Sequence, residues 1–281
     1  MTFSIVGADP GRTTWGVAVA SKFLAAGAYV PAAAAGAGAV ATQAYGNLAL
    51  RTDGVDLLRD GLGASELLRR FFAEDPQRAE RQAGVVDAEG AAATFTGDRC
   101  QPWAGGHAEQ TEAGSVAVQG NMLAGPEVVE AMLASWRASS PEQALARRLV
   151  EALARGQDAG GDPRGKQAAA VLVVREGAGY GGATDVHVDL RSDDSPEPID
   201  DLLRMLDLHD LYFGSTPEDE LVTPDEALAD ELRTRLGTAG YATGDLWRDL
   251  YDWMGRENFE ERWHDGGRID PVVLDQLRTA T

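Results

Sequence analysis

The chain has 281 residues, 44% of them hydrophobic, and no apolar run is long enough to span a membrane. A formal net charge of −20 argues against a nucleic acid or an anionic membrane as a partner, and a single cysteine, Cys100, excludes an internal disulfide framework. The composition therefore predicts a soluble globular protein, and the cysteine usage together with the lack of a secretion signal predicts a cytoplasmic one.

The first predicted element is a strand over Thr2–Ala8, where Phe3 and Ile5 alternate with the period of a half-buried strand. If Met1 is removed, the Thr2 hydroxyl lies beside its own α-amino group, whose reference pKa is about 7.7–8.0. That amine can accept the hydroxyl proton and so activate an otherwise weak nucleophile. The structural alternative is that Thr2 is only the second residue of an edge strand.

A turn signal at residues 9–12 and a second predicted strand over Trp15–Ser21 complete an opening hairpin. Lys22 follows directly, and it is one of two lysines among 25 basic residues, the other being Lys166. The pKa of a lysine moves readily on burial, whereas an arginine stays charged, so both lysines are candidates for a chemical role. Next to Thr2, the Lys22 ammonium would lower the pKa of the hydroxyl or of the amine.

The following stretch predicts a loop, a strand, two helices and a hairpin. Small residues interrupted by a proline predict a loop over Ala25–Gly38, which enters a third strand over Ala39–Gln43. Amphipathic patterns predict two helices before the next proline, and a turn signal predicts a hairpin after it. The helices cover residues 52–62 and 65–73, and the hairpin joins residues 82–86 to 92–96.

The segment Thr96–His107 is predicted to be irregular and is rich in reactive side chains. Cys100 is interpreted either as a reactive thiol or as a small buried side chain, and His107 either as a base or as a solvated loop histidine. The chain's four histidines and one cysteine lack the spacing of a zinc site, and its glycines lack the context of a phosphate-binding loop. We therefore expect no metal and no cofactor.

A predicted strand over Ser115–Gln119 delivers Gly120 and Asn121 to the entrance of a helix that begins near Pro126. Backbone N–H groups at such an entrance have no helical partner, and they can form an oxyanion hole if they face the nucleophile. Gly120 and Asn121 are therefore candidate oxyanion donors. The alternative is an ordinary turn between a strand and a helix.

The remaining elements of this part of the chain alternate between helices and apolar strands. They are helices over residues 127–138 and 141–155, a polar loop over Gln157–Lys166, strands over residues 168–174 and 186–190, and a helix over residues 196–209. Because the strands come in hairpins separated by helices, the order of elements does not suit a parallel βαβ fold. The order predicts an α+β fold, a four-layer αββα sandwich of two antiparallel sheets.

Eight segments, taken together and in order, carry a family resemblance. They are Thr2-Phe3-Ser4-Ile5-Val6, Gly16-Val17-Ala18-Val19-Ala20-Ser21-Lys22-Phe23, Ala39-Val40-Ala41-Thr42-Gln43-Ala44, Phe95-Thr96-Gly97, Cys100, Trp103-Ala104-Gly105, Val118-Gln119-Gly120-Asn121 and Ala159-Gly160-Gly161-Asp162. With these segments the chain resembles, over about residues 2–211, the bacterial family catalogued as domain of unknown function 1028.

That family is similar to the N-terminal nucleophile hydrolases, relatives of the proteasome β subunits. The resemblance implies an Ntn-hydrolase-like fold and an amide-bond hydrolase with Thr2 as nucleophile. The Gly120 turn resembles the glycine turn that supplies an oxyanion N–H, and Asp162 resembles an aspartate near the amine. Lys22 falls where proteasome-type sequences carry an aspartate, and the third strand here has no lysine. Lys22, Asp162 and Lys166 would together tune the amine.

The composition changes past Leu211. We predict a first domain over residues 1–211, an acidic linker with two prolines over residues 212–224, and a small helical domain over residues 225–281. The helical pattern of this last domain is similar to peptidoglycan-binding-like domains. Its aromatic side chains are interpreted either as the core of the domain or as part of a ligand surface. Its predicted helices cover residues 225–236, 246–254, 259–263 and 270–278.

Two hypotheses for the function follow. The first is an amidohydrolase that cleaves a small amide or peptide-like substrate, with Thr2 as nucleophile after Met1 removal. The alternative is a non-catalytic αββα binding protein whose C-terminal module binds a peptidoglycan fragment. The sequence leaves open the substrate, a homo-oligomeric state and the binding of a peptidoglycan fragment.

Overall fold

The computed structural model describes residues 2–281, which form ten β-strands and eight α-helices. The strands are β1 (Thr2–Ala8), β2 (Thr14–Ser21), β3 (Pro31–Ala34), β4 (Gly38–Ala44), β5 (Arg81–Asp87), β6 (Ala92–Thr96), β7 (Gly105–Thr111), β8 (Gly114–Asn121), β9 (Ala168–Arg175) and β10 (Val186–Ser192). The helices are α1 (Ala49–Arg59), α2 (Ala64–Ala73), α3 (Glu127–Ala138), α4 (Leu145–Asp158), α5 (Pro198–Phe213), α6 (Glu226–Thr238), α7 (Leu246–Arg256) and α8 (Pro271–Ala280).

The strands form two antiparallel sheets, as their hairpin order predicted. The larger sheet has the order β10-β9-β2-β1-β8-β7, and the smaller has the order β3-β4-β5-β6. Strand β1 lies inside the larger sheet, where Thr2 pairs with Ser21 of β2 and with Asn121 of β8. The predicted α+β sandwich is therefore confirmed, and Thr2 does not lie on an edge strand.

The two-residue period of β1 assigns its side chains to the layers of the sandwich. Phe3 and Ile5 pack in one core with residues of α3 and α4, which cover the outer face of the larger sheet. Val6 and Ala8 pack in a second core, between the two sheets, with residues of β4 and β5. A third core lies between the smaller sheet and helices α1 and α2. The even-numbered residues of β1 thus face the smaller sheet.

Two strands lie in segments that were predicted to be irregular. Strand β3 starts at Pro31, inside the predicted loop, and β7 occupies the end of the segment predicted as irregular and its continuation. Both are edge strands, and each pairs with a single neighbour, β4 or β8. A proline at the first residue of an edge strand costs no ladder hydrogen bond, so local sequence signals missed an element that its neighbour stabilises.

Two helix predictions in the chain also need correction. The helix predicted over residues 141–155 begins only at Leu145, after a turn, and the one predicted over residues 259–263 is a 3-10 turn over Glu260–Arg262. Short helical segments depend on tertiary packing more than on propensity, so their ends are difficult to derive from local sequence.

The chain divides into two compact units, the first ending at Leu206 and the second covering Asp207–Thr281. The second unit is helical and has its own apolar core, which includes Leu232, Trp253 and Leu277. Its segment before α6, predicted to be a linker, contributes the buried Leu221 and a β-bridge between Val222 and Ile269. Among the described helices, none combines the length and the apolar character needed to cross a membrane.

Candidate active site

Both sheets contribute to one cavity of about 500 Å³ in the first unit. Thr2, Ser21 and Asn121 reach it from the ends of β1, β2 and β8, and Thr42 to Ala44 reach it from the end of β4. The rest of the wall comes from connecting segments, namely Lys22, Phe23, Ala26, Tyr29, Val30, Tyr45, Gly46, Leu48, Glu80, Arg99, Cys100, Gln101, Met122 and Arg164. This volume suits a small organic ligand.

Thr2 is held from both sheets at the wall of this cavity. Its side chain faces the smaller sheet, and its Oγ1 lies 3.0 Å from Ser21 Oγ in a hydrogen bond. Its main-chain carbonyl accepts hydrogen bonds from Gln43 Nε2 at 3.3 Å and from Asn121 Nδ2 at 3.4 Å. The residue is 9% exposed, so its position is determined by the surrounding protein and not by solvent.

Four buried side chains form a polar network behind Thr2. Ser4 pairs with Gln119 in the larger sheet, and Gln43 pairs with Gln82 in the smaller sheet. The hydroxyl of Ser4 donates to Gln43 Oε1 and accepts from Gln119 Nε2, each at 2.6 Å, while Gln43 Nε2 donates to Gln82 Oε1 at 2.8 Å. These hydrogen bonds between buried side chains link the two sheets behind Thr2.

Gln82 completes the link to Asn121. Its Oε1 accepts from Asn121 Nδ2 at 2.9 Å, and its Nε2 donates to the carbonyl of Gly120 at 2.7 Å. Within residues 2–281, one buried atom of this network, Gln119 Oε1, has no hydrogen-bond partner. It packs against Gly84, where any side chain would collide with the Gln119 amide.

Lys22 and Asp162 meet beside the cavity. The backbone N–H of Lys22 donates to Asp162 Oδ2 at 3.3 Å, and Lys22 Nζ donates to the carbonyl of Lys166 at 3.2 Å. The Asp162 side chain is almost fully buried, and its carboxylate also accepts from Arg164 at 3.1 Å. Asp162 therefore anchors the loop before β9 to the end of β2, next to Thr2.

The predicted site residues are only partly brought together. Thr2, Lys22 and Asn121 line the cavity, and Asp162 lies directly behind Lys22. Gly120 pairs with Phe3, one position further into the sheet, and it does not line the cavity. The Lys166 side chain points elsewhere, because its ammonium forms an ion pair with Glu197. Only the main-chain carbonyl of Lys166 contacts another predicted site residue, Lys22.

Cys100 lines the cavity, whereas His107 lies on an edge strand and outside the wall. The Cys100 Sγ donates to the carbonyl of Arg81 at 3.3 Å, and burial raises the pKa of this thiol. A raised pKa keeps the thiol protonated near neutral pH, so Cys100 is a poor nucleophile. The His107 ring is exposed beside Glu109. Within the part of the chain that the structure describes, no cluster of His, Cys, Asp and Glu side chains could hold a metal ion.

Several residues of the site were not found from the sequence. Gln43, Gln82 and Gln119 hold Thr2 and its neighbours, and the available signal was one glutamine in each of three buried strands. Ala44 and Met122 line the cavity with positive φ angles of 60° and 55°. Such backbone conformations are uncommon for residues other than glycine and often occur at functional sites.

Comparison with known proteins supports both resemblances stated from the sequence. Residues 2–202 match the model described as "Family of unknown function (DUF1028)", and residues 212–277 match the model described as "Putative peptidoglycan binding domain". The crystal structure of protein SPO2555 from Silicibacter pomeroyi, which carries the same DUF1028 model, is similar with a TM-score of 0.65 and 30% sequence identity. The match covers 77% of this chain and 90% of that one. None of the curated proteins matches the chain.

Proposed function

Because the chain belongs to the DUF1028 family of unknown function, we propose a chemistry for the cavity of its first unit: hydrolysis of a small amide or peptide-like bond, with Thr2 as the nucleophile. The observation that carries the proposal is Thr2 at the cavity wall, with its hydroxyl hydrogen-bonded to Ser21 at 3.0 Å. The proposal includes removal of Met1, which lies outside the described residues. Removal would leave an amine and a hydroxyl on one residue.

The reaction has two steps that balance with water as the only co-reactant. The Thr2 oxygen attacks the amide carbonyl carbon, the α-amine of Thr2 takes the hydroxyl proton, and the substrate C–N bond breaks. The leaving amine takes up that proton, and an ester joins Thr2 to the acyl group. Water then cleaves the ester, which releases a carboxylic acid and restores the hydroxyl.

The neighbouring residues have distinct roles in this proposal. Gln43 and Asn121 position Thr2 through its main-chain carbonyl. The backbone N–H of Asn121 is the closer candidate for an oxyanion donor, since Asn121 lines the cavity and Gly120 does not. Lys22 adds a positive charge to the same cavity wall, where it can attract an anionic group of the substrate. Asp162 acts by holding Lys22 and its loop, and Lys166 contributes only a carbonyl.

Intact-mass measurement tests the proposal directly. We expect the purified protein to lack the mass of Met1 and to gain the full mass of a β-lactone probe, whose ring opens on attack by the Thr2 oxygen. A Thr2→Ser variant should retain the adduct, and a Thr2→Ala variant should lose it. The Cys100→Ser variant is the matched control, because Cys100 lies in the same cavity and should not carry the label.

Either of two results would contradict the hydrolase. One is catalytic turnover by a protein that retains Met1. The other is equal labelling of the wild type and the Thr2→Ala variant, with the label found on Cys100. Peptide mapping of the labelled protein separates these cases from labelling at Thr2.

A second function is favoured for the second unit by its match to a peptidoglycan-binding model over residues 212–277. We propose that this unit binds a peptidoglycan fragment. Tyr251 is 54% exposed, and its ring packs edge-to-face on Trp263 at a centroid distance of 5.1 Å. Exposed aromatic pairs present an apolar face and a polar edge, which suits contact with a sugar ring.

Binding of the full chain to purified soluble muropeptides, followed by isothermal titration calorimetry, tests this second proposal. Tyr251→Ala should weaken binding at least about tenfold, the loss expected when one well-packed aromatic contact is removed. Tyr180→Ala removes a tyrosine of similar exposure from the first unit and should leave binding unchanged. Absence of binding by the wild-type chain would exclude the proposal.

A further inference from the structure

The charge on the cavity wall is opposite to that of the chain. The chain has a net charge of −20, yet among the described residues that line the cavity Lys22, Arg99 and Arg164 are basic and only Glu80 is acidic. Arg99 pairs with Glu80 at 2.7 Å, and Arg164 pairs with the buried Asp162 at 3.1 Å. Lys22 Nζ hydrogen-bonds a main-chain carbonyl and makes no ion pair with a carboxylate among residues 2–281. One positive charge is therefore left uncompensated at the wall.

The mouth of the same cavity is apolar and exposed. Phe23 is 56% exposed, Tyr29 48%, Tyr45 61% and Leu48 51%. The rings of Phe23 and Tyr29 pack edge-to-face at a centroid distance of 5.8 Å. Large apolar side chains that cluster at a cavity mouth and remain exposed mark a site where a ligand covers them. The cavity thus joins a cationic wall to an apolar rim, with Thr2 between polar residues at its inner end.

We propose that the ligand of this cavity is an anionic amide, with a free carboxylate that pairs with Lys22 and an apolar or aromatic group that contacts Phe23 and its neighbours. An N-acylated amino acid with an apolar acyl group is the simplest member of this class. The inference rests on the proposed hydrolase for the position of the amide at Thr2. The charge and the apolar rim carry the ligand class independently of the chemistry.

Calorimetric titration of the full-length Thr2→Ala variant separates binding from turnover. Three probes differ in one feature each: benzoylglycine, its neutral amide benzoylglycinamide, and acetylglycine, which lacks the aromatic group. We expect benzoylglycine to bind at least about tenfold more tightly than either of the other two. Circular dichroism spectra that match the parent protein establish that each variant used below is folded.

Two further substitutions on the Thr2→Ala background assign the two contacts. In the Lys22→Met variant the dissociation constants of benzoylglycine and benzoylglycinamide should differ by no more than about twofold, because the charge contact is lost. Phe23→Ala should weaken the binding of benzoylglycine and leave the affinity for acetylglycine unchanged. Arg70→Met is the matched control, because it removes an exposed positive charge on α2, away from the cavity. It should change none of the affinities.

The outcomes separate the ligand class from the hydrolase. The ligand class is overturned if the neutral amide binds as tightly as the acid, if Lys22→Met retains the preference, or if no probe binds at millimolar concentration. If the preference is observed but wild-type protein without Met1 releases no glycine from benzoylglycine, the ligand class stands and the hydrolase is contradicted. If the wild type cleaves benzoylglycinamide as fast as benzoylglycine, the hydrolase stands and the ligand class is wrong.

Discussion

At the scale of single residues, the polar network behind Thr2 is the most specific feature of the molecule. Gln82 accepts hydrogen bonds from Gln43 and Asn121, and both of these donors also hold the Thr2 carbonyl. A buried amide with several partners is costly to remove, because each partner left behind lacks a hydrogen bond. Gln82 thus acts on Thr2 through two other side chains.

Replacement of Gln82 tests this role. Gln82→Met keeps the length of the side chain but leaves Gly120 O without its donor and deprives Gln43 and Asn121 of an acceptor. We expect the free energy of unfolding to fall by roughly 2–4 kcal/mol, measured by urea denaturation. Gln110→Met, at an exposed position of β7, is the control and should change stability by less than about 0.5 kcal/mol. If Gln82→Met and Gln110→Met have the same free energy of unfolding, the hydrogen bonds of Gln82 do not contribute to stability and the proposed role is wrong.

At the scale of elements, one carboxylate organises the segment between α2 and β5. Asp75 accepts from Arg81 Nε at 3.0 Å, from Asn47 Nδ2 at 3.1 Å and from the N–H of Gln77 at 2.8 Å. Arg81 also donates to the carbonyl of Tyr45 and stacks over the Tyr45 ring, with its guanidinium carbon 5.3 Å from the ring centroid. This cluster therefore sets the backbone that presents Tyr45 at the cavity mouth.

The same cluster makes a prediction about pH. Burial on its own would raise the pKa of Asp75, but hydrogen bonds from Arg81, Gln77 and Asn47 outweigh it, so the pKa of Asp75 is lowered. A carboxyl whose pKa is lowered by folding contributes stability above its unfolded pKa of about 3.9. That contribution is lost as the pH falls through the lower pKa of the folded state.

Asp75→Asn should therefore reduce the free energy of unfolding by roughly 1.5–3 kcal/mol at neutral pH, where the wild-type carboxylate is charged. The difference between wild type and variant should shrink steadily as the pH falls below about 4. Urea denaturation at a series of pH values measures it. Asp60→Asn, on the exposed end of α1, should show no such dependence. A difference that is constant down to pH 2, or about two units below the unfolded pKa, would contradict the role of the charge.

At the scale of the whole molecule, two units have separate apolar cores. The second unit also contains a buried ion pair, because Arg262 donates to Asp270 at 2.7 Å with both side chains almost fully buried. Arg262 further donates to the carbonyls of Asp210 and Leu211 near the end of α5, and Asp270 caps the first turn of α8. One side chain thus joins three segments of this unit.

Loss of this arginine should affect one unit only. Arg262→Met leaves the Asp270 carboxylate buried without its partner, which should cost about 3–5 kcal/mol. Differential scanning calorimetry should show a lower Tm for the transition of the second unit and an unchanged Tm for the first, because separate cores unfold separately. Arg256→Met, at an exposed position of α7, should shift neither. A single transition that moves as a whole would show that the two units unfold together.

Most elements of this fold, and their arrangement in layers of helices and sheets, were predicted from the sequence. The alternation in β1, the turn residues that follow it and the apolar stripe of α3 act over a few neighbouring positions, so they were predicted within one or two residues. Strands β3 and β7 were missed, because small residues and glycines have low strand propensity and only pairing with β4 and β8 makes them strands.

The sequence by itself determined the sandwich, the family and the position of Thr2 at the beginning of the first strand. Tertiary structure alone decided which side chains meet there. Thr2 and Asn121 are paired between β1 and β8 of the larger sheet, and Gln43 and Gln82 are paired between β4 and β5 of the smaller sheet. Packing of the two sheets brings these pairs into hydrogen-bond contact. The same geometry places Lys22 in the cavity wall and pairs the Lys166 ammonium with Glu197, although both lysines were equal candidates in the sequence. The physical reason is that contacts between sheets join residues far apart in the chain, and no local pattern encodes their direction.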